Sequence, residues 1–200
     1  MKIKIKLPNW LMTIGNYIWC WWSNLRWCRA TKEYPLQEKD IATQDEADKI
    51  DRFYEFLSRA ANRVDEGFHY TNDGIDEFGD SMRPPTQCYK DLAEGSLKDD
   101  CDGFHSALYY IMSQKALHAP VYMASIGSRD GKRGHAILVG VDPLGGWFAQ
   151  DYRATLNIVA FNQEELIKEL QTHYATRGYG EDAHIQLYTY DEKKGFRVKK

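Results

Sequence analysis

The chain has no CxxC pair, no basic tract beyond short clusters near its two ends, and no apolar run long enough to cross a bilayer. Each absence removes a class of function. Four scattered cysteines, Cys20, Cys28, Cys88 and Cys101, are too sparse for a disulfide framework. They fit reduced thiols in a cytoplasmic compartment, with at least one free for chemistry. A formal net charge of −3 supplies no positive field for a phosphate backbone, so nucleic acid is not an expected partner. No internal repeat or low-complexity tract interrupts the sequence. What is present, 43% hydrophobic and 14% aromatic residues in 200, suffices for one domain with a buried core.

Five of the six tryptophans crowd into "PNWLMTIGNYIWCWWSNLRWC". As a helix this segment places Trp10, Ile14, Tyr17, Ile18, Trp21, Leu25 and Cys28 on one side, with Thr13, Asn16, Ser23 and Asn24 opposite. Three readings stay open: a helix docked on the protein's own core, a membrane-surface or partner contact through residues 10–28, and an uncleaved export signal. The sequence therefore divides into a Trp-rich amphipathic helix at 1–30, a polar linker at 31–46 and a folded domain at 47–200.

Within that domain, residues 47–62 carry Ile50, Phe53, Tyr54, Leu57 and Ala61 at helical spacing. Turn signals then surround one short helix expected near 89–93. The stretch "SLKDDCDGFHSALYYIM" follows, where Asp99 or Asp100 can cap a helix whose buried stripe is Phe104, Ala107, Leu108, Ile111 and Met112. From Pro120 the period changes to that of strands. "VYMASIGS", "HAILVGV", "GWFAQDY" and "TLNIVAF" predict an antiparallel meander with "RDGKRG" and "DPLGG" as its turns. A helix over "NQEELIKELQTHY", with Asn162 and Glu165 spaced as a capping-box variant, and a closing hairpin complete an α+β domain.

A cysteine between two aspartates at a helix start suits neither a packing thiol nor a paired-thiol metal site. It does suit a nucleophile, because the first helical turn offers unpaired N–H groups and the positive end of the dipole. A base must reach it, and a third group must orient the base. His135 opens the strand "HAILVGV", and counting across the next turn puts the residue facing it at about 151–153, a window whose carboxylate is Asp151. Cys101, His135 and Asp151 thus form a candidate triad. The backbone N–H of Cys101 is a natural oxyanion donor, and Gln87 is the side-chain candidate for a second.

These residues resemble a family. "YTNDGIDEFGDSMRPPTQCYKDLAEGSLKDDCDGFHSALYYIM", followed by "GHAILVGV" and "GWFAQDYR", is similar to the transglutaminase-like superfamily, specifically to bacterial transglutaminase-like cysteine proteinases. The family's approximate motifs, G-D-C-E-D-[YF]-A, H-A-V-L-V and L-D-N, correspond here to residues 98–106, 135–139 and 149–152. The resemblance covers roughly residues 63–153. It implies a papain-like core with the cysteine helix packed against an antiparallel sheet. It also implies a thiol hydrolase, a cysteine peptidase acting on a peptide or isopeptide bond of a protein or peptide substrate, with Cys101 as nucleophile, His135 as proton shuttle and Asp151 as orienter. The chain departs from the motifs where Asp102-Gly103 replaces E-D and Gln150-Asp151-Tyr152 replaces L-D-N.

Like charge from Asp100 and Asp102 works against a thiolate, so a helix cap, an imidazolium or a bound cation must offset it. No cofactor is required by this chemistry. Calcium remains open, because some members of the family bind it beside the cysteine and Asp100 and Asp102 offer hard oxygen ligands. Three rival readings stand: zinc held by Cys101, His105 and His135; acyl transfer from glutamine to an amine, or amidase chemistry, on the same residues; and a catalytically silent scaffold.

Overall fold

The structure is a computed structural model and describes residues 34–71, 83–131, 133–191 and 195–199, together with Ile14 and Ile18. Apart from those two isoleucines, the Trp-rich segment over 10–28 lies outside the described residues. Among the described residues, no helix is long and apolar enough to cross a membrane.

The stretch read as a polar linker is part of the domain from Tyr34 onward. The backbone N–H of Gln37 donates to Tyr89 Oη at 2.8 Å, and the Tyr89 hydroxyl donates to the buried Asp40 carboxylate at 2.6 Å. A polar sequence is tied down here because its polar groups find buried partners rather than water. A capping box between Thr43 and Glu46 then starts α1 (Gln44–Asp48). The chain is extended at Lys49, so the helix expected from Ala47 begins afresh as α2 (Ile50–Gly67) and runs five residues past the predicted Asn62. Its buried stripe of Phe53, Phe56, Leu57, Ala60, Ala61 and Val64 has the spacing of one helical face.

The strand β1 (Phe68–Tyr70) follows directly, and after residues 72–82 comes α3 (Pro85–Ala93). This helix begins four residues earlier than the sequence predicts, because Pro85 at its first position needs no N–H partner and has its φ already set. β2 (Leu97–Asp99) pairs in parallel with β1 and delivers the chain to α4 (Cys101–Met112), which matches the predicted cysteine helix.

The remaining strands are β3 (Val121–Gly127), β4 (Gly134–Val141), β5 (Trp147–Asp151) and β6 (Ala154–Thr155). They make the expected meander. α5 (Gln163–Tyr174) then carries the chain to the other edge, where β7 (His184–Asp191) pairs with β3 and β8 (Gly195–Val198) closes the sheet in the order β6-β5-β4-β3-β7-β8. Every pairing in this six-stranded sheet is antiparallel. The strand predicted over "TLNIVAF" shrinks to two residues. The N–H of Ile158 bonds to the carbonyl of Leu156, a three-residue turn that breaks the ladder before the Trp147 N–H meets the Ala160 carbonyl.

Both faces of the sheet are covered, which gives a mixed helix-and-sheet domain with two cores. On one face Leu138, Phe148, Met123 and Tyr188 pack with Phe104, Leu108 and Ile111 of α4 and the stripe of α2. On the other, Ile137, Val139, Ala149 and Leu187 pack with Leu166, Leu170 and Tyr174 of α5. Each fully buried Leu or Phe contributes roughly 1.5–3 kcal/mol by leaving water. Residues 136–139 alternate between the two cores, so the strand that carries His135, β4, is gripped from both sides.

Candidate active site

The cysteine stands at a helix start built by its neighbours. Asp100 is the N-cap of α4, its side chain accepting from the N–H of Asp102 at 3.0 Å. Asp99, one residue earlier, accepts from the Asp100 N–H at 3.0 Å and from Arg83 Nη1 at 2.9 Å. Its carboxyl lies so close to α4 that a Cβ on Gly103 would come within 2.3 Å of it. Glycine is therefore required here. Cys101 is half-buried, and its Sγ accepts the backbone N–H of Ala136 at 3.3 Å. That donor suits an anionic sulfur better than a thiol, and it places the sulfur against the first residues of β4.

His135 and Asp151 meet at the same end of the sheet. The observed ladder pairs Leu138 with Gln150, so one more step sets Asp151 opposite Ile137 and diagonal to His135 on one face. His135 Nε2 donates to Asp151 Oδ1 at 2.8 Å. Three rings enclose the imidazole, with centroids 5.8 Å away for Tyr152, 5.9 Å for Tyr174 and 6.1 Å for His105. The structure thus brings Cys101, His135 and Asp151 together.

Asp151 is more heavily braced than a triad count predicts. Its second oxygen, Oδ2, accepts from the Tyr174 hydroxyl at 2.9 Å and from Arg177 Nη1 at 3.0 Å. Burial pushes the Asp151 carboxyl up, but the hydrogen bond and charge of His135 and the Tyr174 hydroxyl outweigh it and hold the pKa at about 2. Sequence reasoning missed Tyr174 and Arg177. The only signal was their spacing at the end of a helix, just before the glycine turn "RGYG".

His105 has a role different from the one weighed for it. Its ring is fully buried, with Nδ1 donating to the Cys101 carbonyl at 2.6 Å and Nε2 accepting the Tyr152 N–H at 3.0 Å. Both nitrogens are occupied by the backbone, which removes His105 from a zinc site with Cys101 and His135. Burial pushes its pKa down to about 4, so it is a neutral strut between the cysteine turn and the turn after β5. That turn needs a strut: Tyr152 has φ +50, a left-handed conformation that costs a non-glycine residue about 1–2 kcal/mol.

Among the described residues, the grouping close enough to share an ion is Asp99, Asp100 and Asp102, with one oxygen of each within 4.8 Å of the others. Arg83 brings one positive charge to Asp99, shared with Asp91, and Asp100 serves as the cap of α4. The donor set is of the right kind for calcium. Gln87, the candidate second oxyanion donor, lies on α3 with its amide nitrogen donating to Asp91 Oδ1 at 2.8 Å, one turn along its own helix. Asp91 in turn pairs with Arg83. Cys88 is fully buried, and burial pushes its thiol well up, partly offset by Arg83. No family model matches the chain, and no curated protein matches its sequence.

Proposed function

We propose that the protein is a thiol hydrolase, a cysteine peptidase with a papain-like, transglutaminase-like core, that cleaves a peptide or isopeptide bond through an acyl-enzyme at Cys101. The observation that carries the reading is the His135 Nε2–Asp151 Oδ1 bond of 2.8 Å beside a helix-start cysteine whose sulfur lies 3.3 Å from the N–H of the next residue, Ala136. Because Nε2 donates to Asp151, Nδ1 is the ring nitrogen left with a lone pair.

In the first half-reaction the Cys101 proton passes to His135 Nδ1 and the sulfur attacks the substrate carbonyl carbon. A C–S bond forms and negative charge gathers on the carbonyl oxygen, where the backbone N–H of Cys101 is the proposed donor. The imidazolium then returns its proton to the departing amine as the C–N bond breaks. In the second half-reaction His135 takes a proton from water as the water oxygen attacks the thioester carbon; the C–S bond then breaks, the acid leaves, and the proton returns from His135 to the Cys101 sulfur. Asp151 stays ionised throughout and holds the imidazole in the Nε2–H tautomer.

The test is alkylation of each cysteine by iodoacetamide against pH, read by peptide mass spectrometry, in the native chain and in His135→Ala. Cys101 is expected to react well below the free-thiol value of about 8.5, and His135→Ala to abolish that advantage. A Cys101 that titrates like a free thiol in both proteins refutes the reading. Incubation with a glutamine-containing protein and a labelled amine separates hydrolysis from acyl transfer, since only transfer incorporates the label.

A further inference from the structure

Three groups hold the Asp151 carboxylate, and two of them come from one short stretch far from the triad in sequence. Tyr174 is the last residue of α5, and Arg177 stands in the turn over Ala175–Tyr179 that follows it. That turn is itself fixed from the side of the base. Gly178 sits at φ +86, and a Cβ there would come within 2.7 Å of Arg133 Nη1, the same nitrogen that donates to the Arg177 carbonyl at 2.9 Å. Arg133 lies two residues before His135. The contacts therefore close a ring: Arg133 holds the backbone of Arg177, Arg177 holds Asp151, and Asp151 holds His135.

We propose that Tyr174 and Arg177 are positioning residues that lock the Asp151 carboxylate so that Oδ1 faces His135 Nε2, and thereby fix which nitrogen of His135 serves as the base. The inference rests on the triad reading and deepens it. A carboxylate on a strand end has a soft terminal torsion, broad and roughly two-fold. A single bond from His135 leaves Oδ2 free to be drawn toward water or another donor. Two donors on Oδ2, one neutral from the end of α5 and one charged from the turn after it, remove that freedom. Neither residue touches a reacting atom in the proposed mechanism, so their effect passes entirely through Asp151.

The variants are Tyr174→Phe, which keeps the buried ring, Arg177→Ala and Arg177→Lys, the last two at a half-exposed position. Two readouts apply: the alkylation rate of Cys101 at one pH, and the nitrogen-15 resonances of the His135 ring, which report its tautomer. Tyr174→Phe and Arg177→Ala are each expected to slow Cys101 alkylation about tenfold, the factor carried by one hydrogen bond to a charged group. They are also expected to turn the single Nε2–H tautomer into a mixture, and Arg177→Lys to restore much of both. Unchanged rate and tautomer in both variants, with a reactive Cys101 in the native chain, overturn the positioning role and leave the triad standing. An unreactive native Cys101 instead overturns the catalytic role of the whole assembly, and the ring resonances then show separately that the triad reading, not the brace, has failed.

Discussion

Acid should loosen this fold through one histidine. His105 is held neutral in the folded chain with a pKa of about 4, against about 6.5 for an exposed imidazole. Between those values the unfolded chain binds a proton that the folded chain refuses, so stability rises with pH across the window and is lost as pH falls through it. The full difference is about 3 kcal/mol, of which roughly 2 kcal/mol is already gone at pH 5. The structural reason is local. A proton on Nε2 would set two donors face to face, because that nitrogen now accepts the Tyr152 N–H, and Nδ1 is already donating to the Cys101 carbonyl.

The assay is urea unfolding at several values between pH 4 and pH 7, for the native chain and for His105→Gln. Glutamine cannot titrate, yet its amide can still offer an acceptor to Tyr152. The native chain should lose roughly 2 kcal/mol more than the variant between pH 7 and pH 5. Other titrating groups move both proteins together and cancel in the difference. Parallel curves, within about 0.5 kcal/mol at every pH, would refute the neutral-strut assignment. A variant that is less stable at pH 7 but loses less stability than the native chain as pH falls would support the assignment.

Further perturbations reach the rest of the site. Gly103→Ala drives a methyl to 2.3 Å from the Asp99 carboxyl and should cost about 2–3 kcal/mol, read as a lower urea midpoint; an unchanged midpoint would mean that Asp99 does not hold its place against α4. Arg83→Met strips the partner from Asp91 and Asp99, both largely buried, and should destabilise by about 3 kcal/mol, with thermal unfolding as the check. Asp151→Asn keeps the size of the side chain but reverses the hydrogen-bonding sense open to His135. It should slow Cys101 alkylation roughly a hundredfold while the far-UV spectrum stays unchanged.

How much of this was legible in the sequence depends on how local each feature is. The cysteine helix was readable because Asp100, Cys101 and the stripe from Phe104 to Met112 follow capping and periodicity rules that act over one or two turns. The His135–Asp151 pairing was readable because a short hairpin fixes its own register. Prediction failed where distant partners decide. Residues 34–46 look like a linker until Tyr89 and Gln114, far along the chain, supply their hydrogen bonds. The expected strand over "TLNIVAF" has the right residue types, and a backbone turn at the edge of the sheet overrides them.

The brace on Asp151 shows the same limit at the site itself. Tyr174 and Arg177 lie 23 and 26 residues from Asp151, on an element whose buried stripe, Leu166, Leu170 and Tyr174, reads as ordinary packing. Tyr174 belongs to that stripe and serves it with its ring; only its hydroxyl belongs to the site. A residue of that kind is invisible to periodicity because its apolar body already explains its position. What exposes it is a polar tip buried against a carboxylate, together with a half-exposed arginine that turns back onto the same oxygen instead of staying in water. The end of the second core thereby becomes the back wall of the site. A substitution in α5 that shifts its last turn should consequently weaken Cys101 reactivity before it weakens the fold.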